Sequence, residues 1–186
     1  MLNIMKIFIG ALVGGFIIFI WQFLSWTIIN LHRPAQQYTP KQDSILAYLN
    51  TQFDSSAAYF LPNLPEGASQ DEMKKYEEDV KGKPWVQLAY HKSYDASMGI
   101  NIIKALVTDI LIVLFFCWII SGFTKNSFGK TFLAALLTGL IIYLNANYIV
   151  HIWYETFDAS AYLTDYLISW GATGVWLGWW LNRREI

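Results

Sequence analysis

Few residues of this chain have the chemistry to bind or react, and most of them stand in apolar surroundings. Lys104 and Asp109 lie five positions apart in a run, Gly99 to Ser121, that is otherwise uncharged. Asp165 follows Tyr162 in a second such run, Gln22 and Ser25 lie toward the end of a third, and Asn145 sits in a fourth. Ionisable side chains inside apolar helices are costly, so each needs a partner or a task. Two kinds of chemistry are open to this set. One is structural, with Lys104 paired to one aspartate and Asn145 donating to the other. The other is a pocket for a ligand, a proton or an ion built around Asp109, Lys104, Asn145, Asp165, Gln22, Ser25 and Tyr162.

A second set could hold a metal. Asn147, His151 and Glu155 recur at helical i, i+4 spacing, and Asp158 follows. With His32 and His91 they are the residue types that ligate zinc. The spacing argues against it, because there is no HExxH and no paired-histidine motif. His151, Glu155 and Asp158 are weak candidates, and we expect no metal and no cofactor. The single cysteine, Cys117, excludes an internal disulfide and CxxC chemistry and reads as a packing residue. P-loop, dinucleotide, EF-hand and G-x-S-x-G patterns are absent. No catalytic residue can be assigned, and the reading leans away from an enzyme.

The elements that position these residues follow from composition. The chain has 186 residues, 55% hydrophobic and only 15% charged, with a mean hydropathy of +0.33. A soluble domain carries about 25% charged residues. The deficit is uneven. Of 27 charged residues, 16 lie between Leu31 and Met98, as do all five prolines. The formal charge of −1 leaves no basic footprint for nucleic acid.

A helix crossing a bilayer needs roughly 20 mostly apolar residues. Four segments qualify: 4–29, 99–121, 131–153 and 161–181. None contains proline. The first is too long for a signal peptide and lacks a cleavage site, so we expect it to be retained. The fold class is therefore an all-α transmembrane four-helix bundle. Lys125 and Lys130 lie between the second and third spans, Arg183 and Arg184 after the fourth, and Lys6 at the start of the first. This places both termini in the cytoplasm and residues 31–98 outside. At 1.5 Å per residue Asp109 is roughly 15 Å deep. The other polar groups fall in the outer half of the bundle.

Residues 31–98 read as a small α+β cap. Pro40-Lys41-Gln42-Asp43 opens a helix with Ile45, Leu46, Leu49 and Phe53 on one face. Ser69-Gln70-Asp71-Glu72 is a capping-box pattern before a charged helix to about Lys81. The stretches 57–61 and 85–91 are short, aromatic-rich and bounded by Pro or Gly, as strands are. We expect them to pair and to sit on the outer mouth of the bundle. Gly10 with Gly14, and Gly174 with Gly178, are GxxxG patterns that mark helix packing, first span against fourth or between copies. Trp176, Trp179 and Trp180 read as an interfacial anchor, with Trp21, Trp26 and Trp153 at the other side.

The run from Gly14-Gly15-Phe16 to Trp21-Gln22-Phe23-Leu24-Ser25-Trp26 resembles the start of a family of small, uncharacterised bacterial membrane proteins. The likeness continues in Tyr59-Phe60-Leu61-Pro62, Gly82-Lys83-Pro84-Trp85-Val86, Trp153-Tyr154, and Asp165 through Gly171 and Gly174. It implies a four-span fold in the bacterial cytoplasmic membrane and no activity. The layout also resembles claudin-like four-span proteins, but lacks their outer cysteine pair. The expected function is a non-enzymatic accessory or binding component of the cell envelope. Its partners would be membrane lipid and further copies or other chains of a membrane complex. The alternatives are a small oligomeric transporter, channel or proton-handling subunit around Asp109, and an envelope enzyme acting on a lipid or quinone.

Overall fold

Where charge and proline stop, long helices begin. The computed structural model describes residues 4–122 and 126–183 and separates into two compact units, 1–37 with 97–186, and 38–96. Lys125 and Arg184, used above for orientation, lie outside the described residues. The chain is mostly helical with one two-stranded sheet.

In the first unit α1 (Ile4–Phe23) continues into a π-helical turn over Leu24–Ile29. Asn30 ends it in the left-handed region at φ 57°, a conformation asparagine tolerates, and its N–H donates to the Ser25 carbonyl. After a 3-10 turn at Arg33–Ala35, the unit resumes with α4 (Met98–Ser121). α5 (Phe128–Ile142) runs through a second π-helical turn, Tyr143–Tyr148, into α6 (Ile149–Trp153). α7 (Ala159–Asn182) completes it.

α4 packs on α1, α1 on α7, and α7 on α5. Val113, Phe116, Cys117 and Ile120 of α4, Ala11 and Ile18 of α1, Ala135 of α5, and Trp170 and Leu177 of α7 form the buried core. The glycine pairs divide between partners. A Cβ at Gly10 would meet Leu177 and Trp180 of α7, and one at Gly14 would meet Val113 of α4 and Thr173 of α7. Gly174 and Gly178 instead face Ala135, Phe132 and Phe128 of α5. The second motif thus packs α7 on α5, not on the first span, because α7 lies between two neighbours.

Three helices, Ile4–Ile29, Met98–Ser121 and Phe128–Trp153, are long and apolar enough to cross a membrane. Their outer faces stay apolar: Phe115, Trp118 and Ile119 of α4, and Leu133, Leu137 and Ile141 of α5, are all exposed. Soluble monomers rarely expose contiguous apolar surface on this scale, whereas a membrane protein must. α7 is as long but less apolar, diluted by Tyr, Trp, Gly and Asp165.

The second unit contains α2 (Gln42–Gln52), β1 (Ala57–Leu61), α3 (Gln70–Asp79) and β2 (Val86–Tyr90). β1 and β2 pair antiparallel with Tyr59 opposite Leu88. The core is thin and centres on Tyr90, whose hydroxyl donates to Asn50 at 2.9 Å. Phe53 stacks on Tyr59 at 3.8 Å. The capping box at α3 is formed. Ser69 Oγ accepts from the Glu72 N–H, and Glu72 accepts from the Ser69 N–H at 2.8 Å. Those Ser69 hydrogen bonds, main-chain first, hold the Glu72 carboxyl below its ordinary value.

Candidate functional site

The end of the helical unit where both π-helical turns lie holds a buried charged network. His32, reached by the left-handed turn at Asn30, is fully buried. Its Nδ1 lies 3.0 Å from Asp158 Oδ2 and its Nε2 2.9 Å from Asp165 Oδ2. Trp21 Nε1 donates to the other Asp165 oxygen at 3.0 Å. Trp26 stacks flat on the imidazole at 3.8 Å and 4°, and Tyr162 meets it edge-on at 4.6 Å.

Carboxylates only accept, so a proton must lie on each of the two N···O lines. The Trp26 face favours a cation beside it. Asp158 stands at the N-cap position of α7, where the helix dipole favours negative charge, but its side chain turns to His32 and makes no capping hydrogen bond. A buried ion pair is tolerable only when its remaining hydrogen bonds are met, and this one meets them from three segments.

Next to this network is a cavity of about 190 Å³. Its polar wall comprises Asp109, Gln22, Asp165, Ser169, Tyr162 and Tyr166. Ile18, Ile112, Ile142, Trp26 and Trp170 complete it. Gln22 Nε2 donates to Asp109 Oδ1 at 3.3 Å. Asp109 is 4% exposed, and its Oδ2 is buried without a hydrogen-bond partner. Ser169 Oγ donates to the main-chain carbonyl of Asp165 at 2.6 Å, which locks it within α7.

The sequence-derived polar set therefore separates. Asp109, Asp165, Gln22 and Tyr162 meet at the cavity. Lys104 and Asn145 are exposed, and neither is the partner of these carboxylates. Gln22 serves Asp109, while His32 and Trp21 serve Asp165, because α1 and its turn, not α5, reach these groups. Ser25 is fully buried, its Oγ unpaired.

The candidate metal set disperses. His151 Nδ1 accepts from the Thr156 N–H at 3.0 Å and closes the turn after α6. Glu155 is exposed, and Asp158 is taken by His32. Among the described residues no three of His, Cys, Asp and Glu are grouped to hold a metal.

At the far end of α7, Trp180 Nε1 donates to the Lys6 carbonyl at 2.8 Å and Arg183 stacks over the Trp180 ring at 4.2 Å. These contacts tie the end of α7 to the start of α1, so the two helices run antiparallel, with Trp21 at the end of α1 reaching Asp165 near the start of α7. Spacing names His32 only among zinc-ligating types and Trp21 only as an anchor; their hydrogen bonds to Asp165 were not legible, since His32 contacts partners 126 and 133 positions away. No protein-family model, curated protein or solved structure matches the chain.

Proposed function

We propose that the chain is a non-enzymatic integral membrane protein, an accessory or binding component of the bacterial cell envelope. In this reading α1, α4, α5 with α6, and α7 all cross the cytoplasmic membrane. Both termini lie in the cytoplasm, and the unit of residues 38–96 lies outside. The burial of α7 between α1 and α5 supports its crossing despite its lower hydropathy, since a helix that faces protein does not need a lipid-compatible surface.

The observation that carries the binding reading is the cavity beside the His32 network. The network is hydrogen-bonded and fixed, while the cavity wall holds a carboxylate with one buried oxygen unmatched. A fixed frame around an unsatisfied group is suited to receiving a ligand. The serine on the wall donates to a carbonyl, which does not activate it as a nucleophile.

Purification of the full chain in mild detergent followed by native mass spectrometry tests this. A co-purifying chain or bound small molecule, depleted by Asp109→Asn, is expected. The chain alone, with no bound lipid or partner, would overturn the reading.

The unmatched Asp109 oxygen also favours a second reading, a proton- or ion-handling subunit. Proteoliposome flux that requires Asp109 would select it, and flux indifferent to Asp109→Asn would discard it.

A further inference from the structure

The cavity is neither sealed nor uniformly polar. A second, apolar cleft of about 400 Å³ runs between α4 and α5, walled by Phe115, Phe116, Ile119, Leu137 and Ile141. Ile112 and Trp170 belong to the walls of both. A chamber with an unmatched carboxylate therefore adjoins an apolar trough along the outside of the helices. The two share one side chain from α4 and one from α7.

The chamber favours positive charge. Its wall holds the Asp109 and Asp165 carboxyls and no basic side chain, and Lys104 is exposed and absent from it. Gln22 occupies one Asp109 oxygen and leaves the other. A buried carboxylate oxygen without a donor is satisfied by a group that brings N–H and charge together. Trp170, Tyr162 and Tyr166 are aromatic residues of the wall, a class whose ring faces attract an ammonium.

Resting on the binding role proposed above, we infer that the site takes an amphipathic ammonium, with its cationic head against Asp109 and its alkyl chain in the α4–α5 cleft. Ile112 and Trp170 form the threshold between head and chain. Recognition is by charge and shape alone, and no bond is made or broken.

The test uses the full chain in phosphatidylcholine nanodiscs and three probes: hexylammonium, the neutral hexanol, and methylammonium, which lacks the chain. Hexylammonium is expected to bind about tenfold or more tightly than hexanol, the scale of one charge-assisted hydrogen bond. Methylammonium should bind more weakly than hexylammonium. Asp109→Asn should abolish the preference over hexanol. Equal binding of hexylammonium and hexanol, or no binding of either, overturns the proposal, as does an unchanged preference in Asp109→Asn.

A second measurement on the wild-type chain needs no variant. A hydrophobic carbodiimide labels buried carboxyls, and hexylammonium should protect Asp109 while hexanol should not, read by peptide mass spectrometry. Unprotected Asp109 under saturating probe counts against the site. Nanodiscs containing phosphatidylethanolamine distinguish a lipid headgroup from a free amine. Competition by that lipid supports the site with the headgroup as occupant, and absence of competition supports it with the free amine. A protein partner found with no ammonium preference would remove this proposal and leave the accessory role standing.

Discussion

At the scale of single residues, His32 does most to hold the site. Its fully buried ring lies between the Asp158 and Asp165 carboxyls and ties the segment before α2 to the start of α7. Removing one member of a buried ionic set strands the others, at about 3–5 kcal/mol. His32→Ala should therefore lower the melting temperature of the detergent-purified chain sharply. Adding Asp158→Asn should recover part of the loss, because one stranded charge disappears. Equal melting of the single and double variants would mean the carboxylates do not depend on the ring. Sequence reading could pick out Asp109 and Asp165, because a charge in an apolar run is visible against its neighbours. It could not pick out His32, which follows the apolar run among ordinary polar residues. What makes His32 special is the fold's closure of 126 and 133 positions. The same blindness explains Lys104. Its charge matched the aspartates on paper, but it is exposed while Gln22 and His32 take the partner roles.

At the scale of elements, the helices and strands were the most legible part. Apolar run length and the position of proline predict the long helices to within a few residues, and the capping box predicts the start of α3. The contacts between elements were less so. Gly15 illustrates this, since a Cβ there would fall 2.6 Å from the Ile110 Cα and 2.7 Å from its nitrogen. Backbone cannot give way as a side-chain tip can, so Gly15→Ala must force α1 and α4 apart, at about 1–3 kcal/mol. Gly99 has open space where its Cβ would be, and Gly99→Ala should be neutral or slightly stabilising in the same melt. Similar behaviour of the two would show that close approach is not what Gly15 supplies. The capping box carries its own pH signature. The folded-state value of Glu72 is depressed, so its contribution is present above the ordinary glutamate range and is lost as pH falls through the lowered folded value. The Ser69 amide resonance should titrate with a midpoint below the usual carboxylate range. Glu72→Gln should flatten that titration while leaving α3 formed, because glutamine still accepts the hydrogen bond.

At the scale of the molecule, α7 decides the topology. It is less apolar than the three helices that are plainly long and apolar enough to cross, for the same reason that it can do its work. It packs against α1 on one side and α5 on the other, and buries Asp165, Ser169, Trp170, Thr173 and Gly174. Where it faces those neighbours, α7 can carry glycines and a carboxylate that a lipid-facing surface could not. The four-span reading therefore puts α7 across the membrane and Ile186 on the side opposite Tyr94. A three-span reading puts Ile186 and Tyr94 on the same side. Single-cysteine variants discriminate between them, and the native Cys117, with no exposed surface, should stay silent. Tyr94 is 87% exposed, so Tyr94→Cys should react with a membrane-impermeant maleimide in intact cells. Ile186→Cys should react only after permeabilisation. Equal labelling of both in intact cells would remove α7 from the membrane. The Asp109 cavity, which takes Tyr162, Asp165, Tyr166 and Trp170 from that helix, would then need another explanation for its apolar surroundings.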